Sequence, residues 1–180
     1  MENWKYKVIL FLIICALIIS YPFFYIDYFE VLTAQRITAK CFLIPIIISL
    51  LILLPTFYFK KVKPLDNDIP KTKIKERLRD GISIFMMLFC LTGIFFGIVF
   101  SLIITTNMFV GKSETVKIKE NVEEYKTYTT KNGRLRHYIK IENPKNQELI
   151  NLEVYRKYEV GKIFEKEMKY GYWGILYSTE

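Results

Sequence analysis

Long apolar runs fill much of the first 110 residues, whereas the remainder of the 180-residue chain is polar and alternating. Three of these runs, at about residues 8–26, 41–59 and 82–104, contain no charged residue. A helix needs about 20 apolar residues to cross a hydrocarbon core of roughly 30 Å, so each run predicts a membrane-spanning helix. The first run is too long for the apolar part of a signal peptide, and no A-x-A cleavage pattern follows it. We therefore expect it to be retained.

The distribution of basic residues predicts how these helices are oriented. Residues 60–81 carry eight Lys and Arg, whereas only Arg36 and Lys40 lie between the first two runs. Short basic loops prefer the cytoplasm, so we expect a cytoplasmic N-terminus and an extracytoplasmic segment 111–180. The expected location is the plasma membrane, in the form of a bacterial inner membrane. This topology explains much of the net charge of +8, so nucleic acid is not an expected partner. The basic loop also suits anionic lipid headgroups.

Alternating apolar and polar residues after position 110 predict a β-rich domain. The expected strands cover about 115–119, 125–130, 134–141, 149–155, 163–170 and 175–177. Asn132-Gly133, between two β-prone segments, predicts a hairpin turn, and a helical linker over residues 116–130 is the alternative. The predicted fold class is thus a three-helix transmembrane region (1–110) followed by a small antiparallel β barrel or sandwich-like domain (111–180).

Two features of the apolar runs concern helix packing. Pro45 and Pro55 interrupt the second run, and they predict either a hinge or a kink that neighbouring helices tolerate. Gly93, Gly97 and Ser101 lie four residues apart in the third run, which allows close helix approach. We expect this stripe to contact the first two helices or, in a homo-oligomer, a second copy of the chain.

Catalytic and metal-binding patterns are missing from the sequence. The only histidine, His137, falls on the apolar face of a predicted strand, where a packed or partly exposed side chain is expected. No Asp follows Asp80, and the three cysteines lie within or beside apolar runs without metal-ligand spacing. The glutamates of residues 111–180 alternate with lysines, as on a solvated sheet surface. The apolar runs hold no charged residue that would mark an ion pathway. We expect no cofactor, no metal and no enzymatic activity.

Aromatic residues are the most distinctive feature of the C-terminal segment. Tyr138, Tyr155, Tyr172 and Trp173 are candidates for a binding face, because Tyr and Trp bury large areas while keeping a polar tip. The alternative is that they fill the core and the membrane interface. The sequence therefore favours a non-enzymatic, multi-pass membrane protein whose outer domain binds an unknown protein partner. Its most concrete form is an immunity or exclusion protein that blocks a toxin or a phage component, and the alternative is an accessory subunit of a larger membrane complex.

Overall fold

The computed structural model describes residues 2–65, 72–110, 114–129, 135–145 and 147–179, with side chains described from Tyr6 onward. The helices are α1 (Glu2–Ser20), α2 (Val31–Thr38), α3 (Ile44–Phe57) and α4 (Lys73–Phe109). Three helical segments, Tyr6–Phe24, Val31–Leu65 and Lys73–Phe109, are long and apolar enough to cross a membrane. This confirms the three predicted apolar helices. The chain divides into two compact units, residues 1–37 with 100–180 and residues 38–99.

The second helical segment continues through both of its prolines by changing its hydrogen-bonding pattern. A π-helical turn, Ala39–Leu43, precedes α3, and a second one, Tyr58–Val62, follows it. Proline cannot donate to the carbonyl four residues earlier, and a π turn, with bonds five residues apart, accommodates such a defect. At the end of α3, the Tyr58 N–H is shared between the carbonyls of Leu54 and Pro55, four and three residues earlier. A short 3₁₀ turn then ends the segment at Leu65.

A single antiparallel sheet of seven strands is formed by the described residues, and it curls into a half-barrel. The strands are β1 (Tyr28–Glu30), β2 (Glu114–Asn121), β3 (Glu124–Thr129), β4 (Leu135–Glu142), β5 (Leu149–Val154), β6 (Ile163–Tyr170) and β7 (Leu176–Ser178). Their spatial order is β2-β6-β7-β1-β5-β4-β3. Strands β2 to β7 confirm the alternation pattern, and the helical alternative for residues 116–130 is wrong. Strands β3 and β4 pair as the predicted hairpin, but the Asn132-Gly133 turn itself lies outside the described residues.

The central strand of the sheet comes from a part of the chain where no strand was predicted. Strand β1 follows α1 and pairs with both β5 and β7. In the sequence, Tyr28 and Phe29 follow an apolar run, as aromatic residues at a membrane interface do. Three residues are too few to show an alternating pattern, so the sequence does not predict a strand here. The sheet therefore joins the connection between the first two long helices to the C-terminal segment.

The hydrophobic core lies on one face of this sheet, which we call the inner face. Ile118, Ile139, Leu152 and Phe164, from four different strands, are fully buried there. Tyr28 of β1 joins the same cluster. Side chains from β2 and from β4, which are far apart in the strand order, meet in this cluster because the sheet curls.

Candidate functional site

The last loop of the sheet is fixed to the end of α4 by a buried asparagine, Asn107. Its side-chain Nδ2 donates to the Ile175 carbonyl at 2.9 Å, and its Oδ1 accepts from the Trp173 N–H at 2.9 Å. The backbone carbonyl of Asn107 also accepts from the Tyr172 N–H at 3.1 Å. Asn107 thus supplies the hydrogen bonds that the β6–β7 loop, residues 171–175, does not make within the sheet.

Gly171 is required at the start of this loop by its close approach to α4. A Cβ added to Gly171 would lie 1.9 Å from the carbonyl oxygen of Asn107. That distance is far inside van der Waals contact, so any larger residue would force the loop away from the helix. The glycine therefore belongs to the same junction as Asn107.

Two of the four predicted binding-face aromatics, Tyr172 and Trp173, lie together at this junction. Their rings meet edge to face with centroids 5.3 Å apart, and the Trp173 Nε1 donates to the Thr106 hydroxyl at 2.9 Å. The other two lie elsewhere in the sheet. The strand register places exposed Tyr155 just past the end of β5 that points away from the 171–175 loop, and Tyr138 lies within β4.

Tyr138 is part of a mixed aromatic and charged cluster on the outer face, opposite the core. Its ring lies edge to face against Tyr128 at 5.5 Å, and its hydroxyl donates to Glu153 at 3.3 Å. Arg136 forms an ion pair with the same carboxylate at 3.6 Å. We call Tyr128, Arg136, Tyr138 and Glu153 the tyrosine patch.

The position of the tyrosine patch follows from how the outer face is covered. Phe29 and Tyr177, on the central strands β1 and β7, are buried on this face at the helix ends. The Phe29 ring meets Phe23 at 5.7 Å, and the Tyr177 hydroxyl donates to the Met108 carbonyl at 3.5 Å. Strands β4 and β3 lie beyond this covered region, and β3 ends the sheet order. The patch is consequently an accessible part of the outer face beside the edge strand β3.

Partial burial shifts the ionisation of two members of the tyrosine patch. Burial raises the pKa of the Tyr138 hydroxyl, which therefore stays a hydrogen-bond donor at neutral pH. Burial also raises the pKa of the Glu153 carboxyl, against the opposing effects of Arg136 and of the Tyr138 hydrogen bond. A half-buried Tyr, an Arg and a partly desolvated carboxylate are typical of the central residues of protein interfaces.

His137 lies on the inner face, packed against a neighbouring tyrosine. Its Nδ1 is 2.6 Å from the Tyr125 hydroxyl, and the two rings are stacked. This agrees with the interpretation of His137 as a packed, partly exposed residue. Across the described ranges, no group of three or more His, Cys, Asp or Glu side chains is placed to hold a metal ion.

A second polar cluster lies where the second helical segment ends and α4 begins. Lys63 pairs with Glu76 at 2.7 Å and with Asp80 at 2.6 Å, and the Tyr58 hydroxyl donates to Asp80 at 2.9 Å. Tyr58 and Lys63 are five residues apart. The intervening π turn brings such positions toward one face, so both side chains reach Asp80.

The small-residue stripe of α4 has different surroundings at its two ends. Ser101 is buried, and its hydroxyl donates to the Ile18 carbonyl of α1 at 2.7 Å. Gly93 borders an apolar groove of about 380 Å³, and a Cβ added there would meet no described atom within 4 Å. Gly97 lies between them and is half-buried. A packing role for the whole stripe stays a prediction.

Comparison with known proteins assigns no family to the chain. No protein-family model matches it, and no curated protein or solved structure is significantly similar to it. The fold defines a class: a membrane-associated chain with three helices of spanning length and a curled antiparallel sheet.

Sequence reasoning missed Asn107 and Asp80 as site residues. Each lies just outside the charge-free apolar run of α4 and beside other polar residues, so the sequence does not distinguish either one from its neighbours.

Proposed function

We propose that this chain is a non-enzymatic, multi-pass protein of the plasma membrane that binds another protein through the tyrosine patch on the extracytoplasmic side. The observation that carries the proposal is the accessible Tyr and Arg cluster beside an edge strand. It lies on a sheet that Asn107 fixes to the end of α4. Tyr and Arg are the residues that most often dominate binding energy in protein interfaces.

Membrane placement is supported by the exposure of the long helices. Ile52 and Phe89 are 68 % and 73 % exposed, and nearby apolar side chains such as Leu53, Phe85 and Met86 are exposed as well. Soluble proteins rarely expose contiguous apolar surface of this extent, because each apolar Å² in contact with water costs about 25 cal/mol. A lipid environment removes that cost.

The sidedness of the protein is supported by β1. Because β1 and the C-terminal strands share one sheet, the connection after α1 and residues 114–178 must lie on the same side of any membrane that the helices cross. The second and third helical segments lie between these two parts of the chain, and two crossings return the chain to the same side. The positive-inside rule then places the basic segment 60–81 in the cytoplasm and the sheet outside.

Cysteine labelling in intact cells tests this sidedness. In a variant with Cys15, Cys41 and Cys90 replaced by Ala, single cysteines are introduced as Asp27→Cys, Thr179→Cys and Lys75→Cys. We expect a membrane-impermeant maleimide to label the first two and to label the third only after lysis. Different accessibility of positions 27 and 179 would contradict their placement on the same side of the membrane. Labelling of position 75 alone would show that the orientation is the reverse of the proposed one.

Photo-crosslinking tests the tyrosine patch. A benzophenone amino acid at Tyr128 should crosslink a defined protein in living cells, whereas the same probe at Lys117 should not. Lys117 is a suitable control because its side chain is 70 % exposed on β2, at the opposite edge of the sheet. Arg136→Glu combined with Tyr138→Ala should remove the crosslink. Equal crosslinking from both probe positions, or a product that survives the double variant, would refute the patch.

In its most concrete form the proposed partner is a toxin or phage component, and the chain acts as an immunity or exclusion protein. Expression in a susceptible host should then increase survival after challenge, and the Arg136→Glu/Tyr138→Ala variant should lose the protection at equal membrane abundance. Protection that persists in this variant would show that immunity does not depend on the tyrosine patch.

An accessory subunit of a larger membrane complex is the second candidate function, and the apolar groove beside Gly93 favours it. The groove is lined by Leu43, Ile47, Phe85, Leu88, Phe89, Thr92, Gly93 and Phe96. A partner helix in the groove would be displaced by Gly93→Leu, which extends into open space without a clash within this chain. Loss of a co-purifying complex in Gly93→Leu, with the tyrosine patch intact, would favour this function over the first.

A further inference from the structure

The beginning of α4 forms one wall of a cavity of about 610 Å³. Six residues of α4 line it, namely Lys73, Glu76, Arg77, Asp80, Gly81 and Ile84. Their spacing of three and four residues places them on a single helix face. Phe59 and Lys63, from the end of the second helical segment, form the opposite wall.

The charges around this cavity do not cancel. Lys63 lies between both carboxylates, at 2.7 Å from Glu76 and 2.6 Å from Asp80, and Arg79 also acts electrostatically on Asp80. The two acidic side chains are thus compensated by two basic ones. Lys73 and Arg77 are exposed and have no ion-pair partner among the described residues. They lie one helical turn apart and leave the described lining of the cavity with a surplus of positive charge.

The walls of the cavity change from charged to apolar along the helix. Lys73 and Arg77 lie at one end, whereas Ile84 lies within the third apolar run, with Phe59 on the opposite wall. Gly81 contributes no side chain between these ends, and a Cβ added there would meet no described atom within 4 Å. An amphiphilic ligand with an anionic head fits this gradient, because its head and its chains meet matching surfaces.

We propose that this cavity binds the phosphate group of an anionic phospholipid. Lys73 and Arg77 contact the phosphate, Lys63 holds the two carboxylates away from it, and Phe59 and Ile84 contact the first part of the acyl chains. Basic pockets at the ends of membrane helices are suited to such headgroups. Free inorganic phosphate would satisfy the same charges, but it would not use the apolar wall. The inference rests on the membrane placement proposed above and does not depend on the tyrosine patch.

Native mass spectrometry of the full chain in detergent tests the site, with phosphatidylglycerol as the probe and phosphatidylcholine as the zwitterionic comparison. We expect a saturable one-to-one complex with phosphatidylglycerol. Lys73→Gln/Arg77→Gln should weaken it about 30-fold, since both headgroup contacts are lost. The matched control, Lys61→Gln/Lys75→Gln, removes the same charge from exposed positions that do not line the cavity, so it should change binding by less than about twofold.

Gly81→Leu provides a second variant that leaves every charge in place. A Cβ at this position has no described atom within 4 Å, and Leu favours a helix more than Gly does, so the chain should remain folded while the added side chain occupies the cavity and weakens the complex. Equal weakening by the target and control pairs would overturn the site, because it would show only general attraction to a basic surface. Equal binding of phosphatidylcholine, or displacement of the lipid by an equal concentration of inorganic phosphate, would overturn the assignment to an anionic lipid.

Failure of the site and failure of the membrane placement are distinguishable. A chain that alkaline carbonate releases from membranes refutes both. A chain that is retained in the membrane but lacks the lipid preference refutes the site alone.

Discussion

The sheet and the long helices place the same kinds of side chain in opposite surroundings. Ile139, Leu152 and Phe164 are fully buried in the sheet, whereas Ile52 and Phe89 of the helices are mostly exposed. The difference lies in the environment that each region requires and not in its composition. The sheet removes its apolar residues from water by itself, whereas in the membrane placement that we propose, the helices depend on a surrounding apolar phase.

This contrast separates two sources of stability within one chain. In the sheet, the inner-face core excludes water, so the loss of a buried side chain leaves a cavity. On the exposed helix surface, lipid or detergent fills whatever space a truncated side chain leaves. The same substitution should therefore have a large effect in one region and a small effect in the other.

A pair of Leu→Ala variants tests the contrast most strongly. Leu152→Ala, in the fully buried centre of β5, should lower the free energy of unfolding of the sheet by about 2–5 kcal/mol. Leu53→Ala, at a position that is 65 % exposed on α3, should change it by less than about 0.5 kcal/mol. Urea unfolding in mild detergent, followed by Trp173 fluorescence in a Trp4→Phe background, measures both. Similar losses from the two variants would show that the exposed helix surface is itself a packed interface.

Asn107 joins the sheet to the end of α4, and its substitution tests how much this junction stabilises the sheet. Asn107→Ala removes three side-chain hydrogen bonds, including those that Oδ1 accepts from the Trp173 and Ile175 N–H groups, although the Ile175 carbonyl keeps the Gly171 N–H at 3.2 Å. We expect a loss of about 1–3 kcal/mol in the unfolding free energy of the sheet, the usual cost of an unsatisfied buried polar group.

The neighbouring variant Thr106→Ala serves as the control for this junction. It removes the exposed hydrogen bond to the Trp173 indole, together with the hydroxyl's own bonds to the Leu102 and Ile103 carbonyls within α4. The buried bonds of Asn107 remain, so the effect should stay within about 0.5 kcal/mol. If Thr106→Ala cost as much as Asn107→Ala, the junction would depend on the indole contact and not on the buried asparagine.

The sequence predicted the elements of the sheet but not its centre. Strands β2 to β7 alternate over six or more residues, or follow a clear turn, so their periodicity is readable without the structure. Strand β1 has three residues, and its partners lie more than 120 positions away along the chain. Local patterns carry no information about such a pairing, and the aromatic character of Tyr28 and Phe29 fitted a membrane interface equally well.

The candidate sites were predictable to a smaller extent. Tyr138 was singled out for its residue type, but Tyr128, Arg136 and Glu153 join it only through cross-strand register, which the sequence does not give. The cavity beside α4 depends on a π turn that directs Tyr58 and Lys63 to Asp80. The basic loop was recognised from the sequence. Which of its charges form ion pairs is a property of the folded chain, and Lys73 and Arg77 are left unpaired among the described residues.

Glu30 gives the finest test of the contrast, because it is a buried carboxyl in the central strand of the sheet. Burial raises the pKa of this carboxyl above its ordinary value of 4.5, although hydrogen bonds from Thr33 and from the Leu176 N–H and the charge of Arg36 act in the opposite direction. A raised pKa in the folded state means that the favourable contribution of neutral Glu30 is present below about pH 4.5 and is lost as the pH rises through the folded-state value. At pH 7, well above the ordinary value, the raised pKa of Glu30 therefore lowers the stability of the fold.

Glu30→Gln removes this cost while keeping an acceptor for Thr33 and for the Leu176 N–H. We expect it to raise the unfolding free energy of the sheet by up to about 1 kcal/mol at pH 7 and to leave it nearly unchanged at about pH 4, where both residues are neutral. Glu123→Gln, at an exposed position between β2 and β3, should have no such pH-dependent effect. Urea titrations at the two pH values measure the difference. A loss of stability in Glu30→Gln at pH 7 would contradict this expectation. It would mean that the hydrogen bonds to the ionised carboxylate stabilise the sheet by more than the burial of the charge destabilises it.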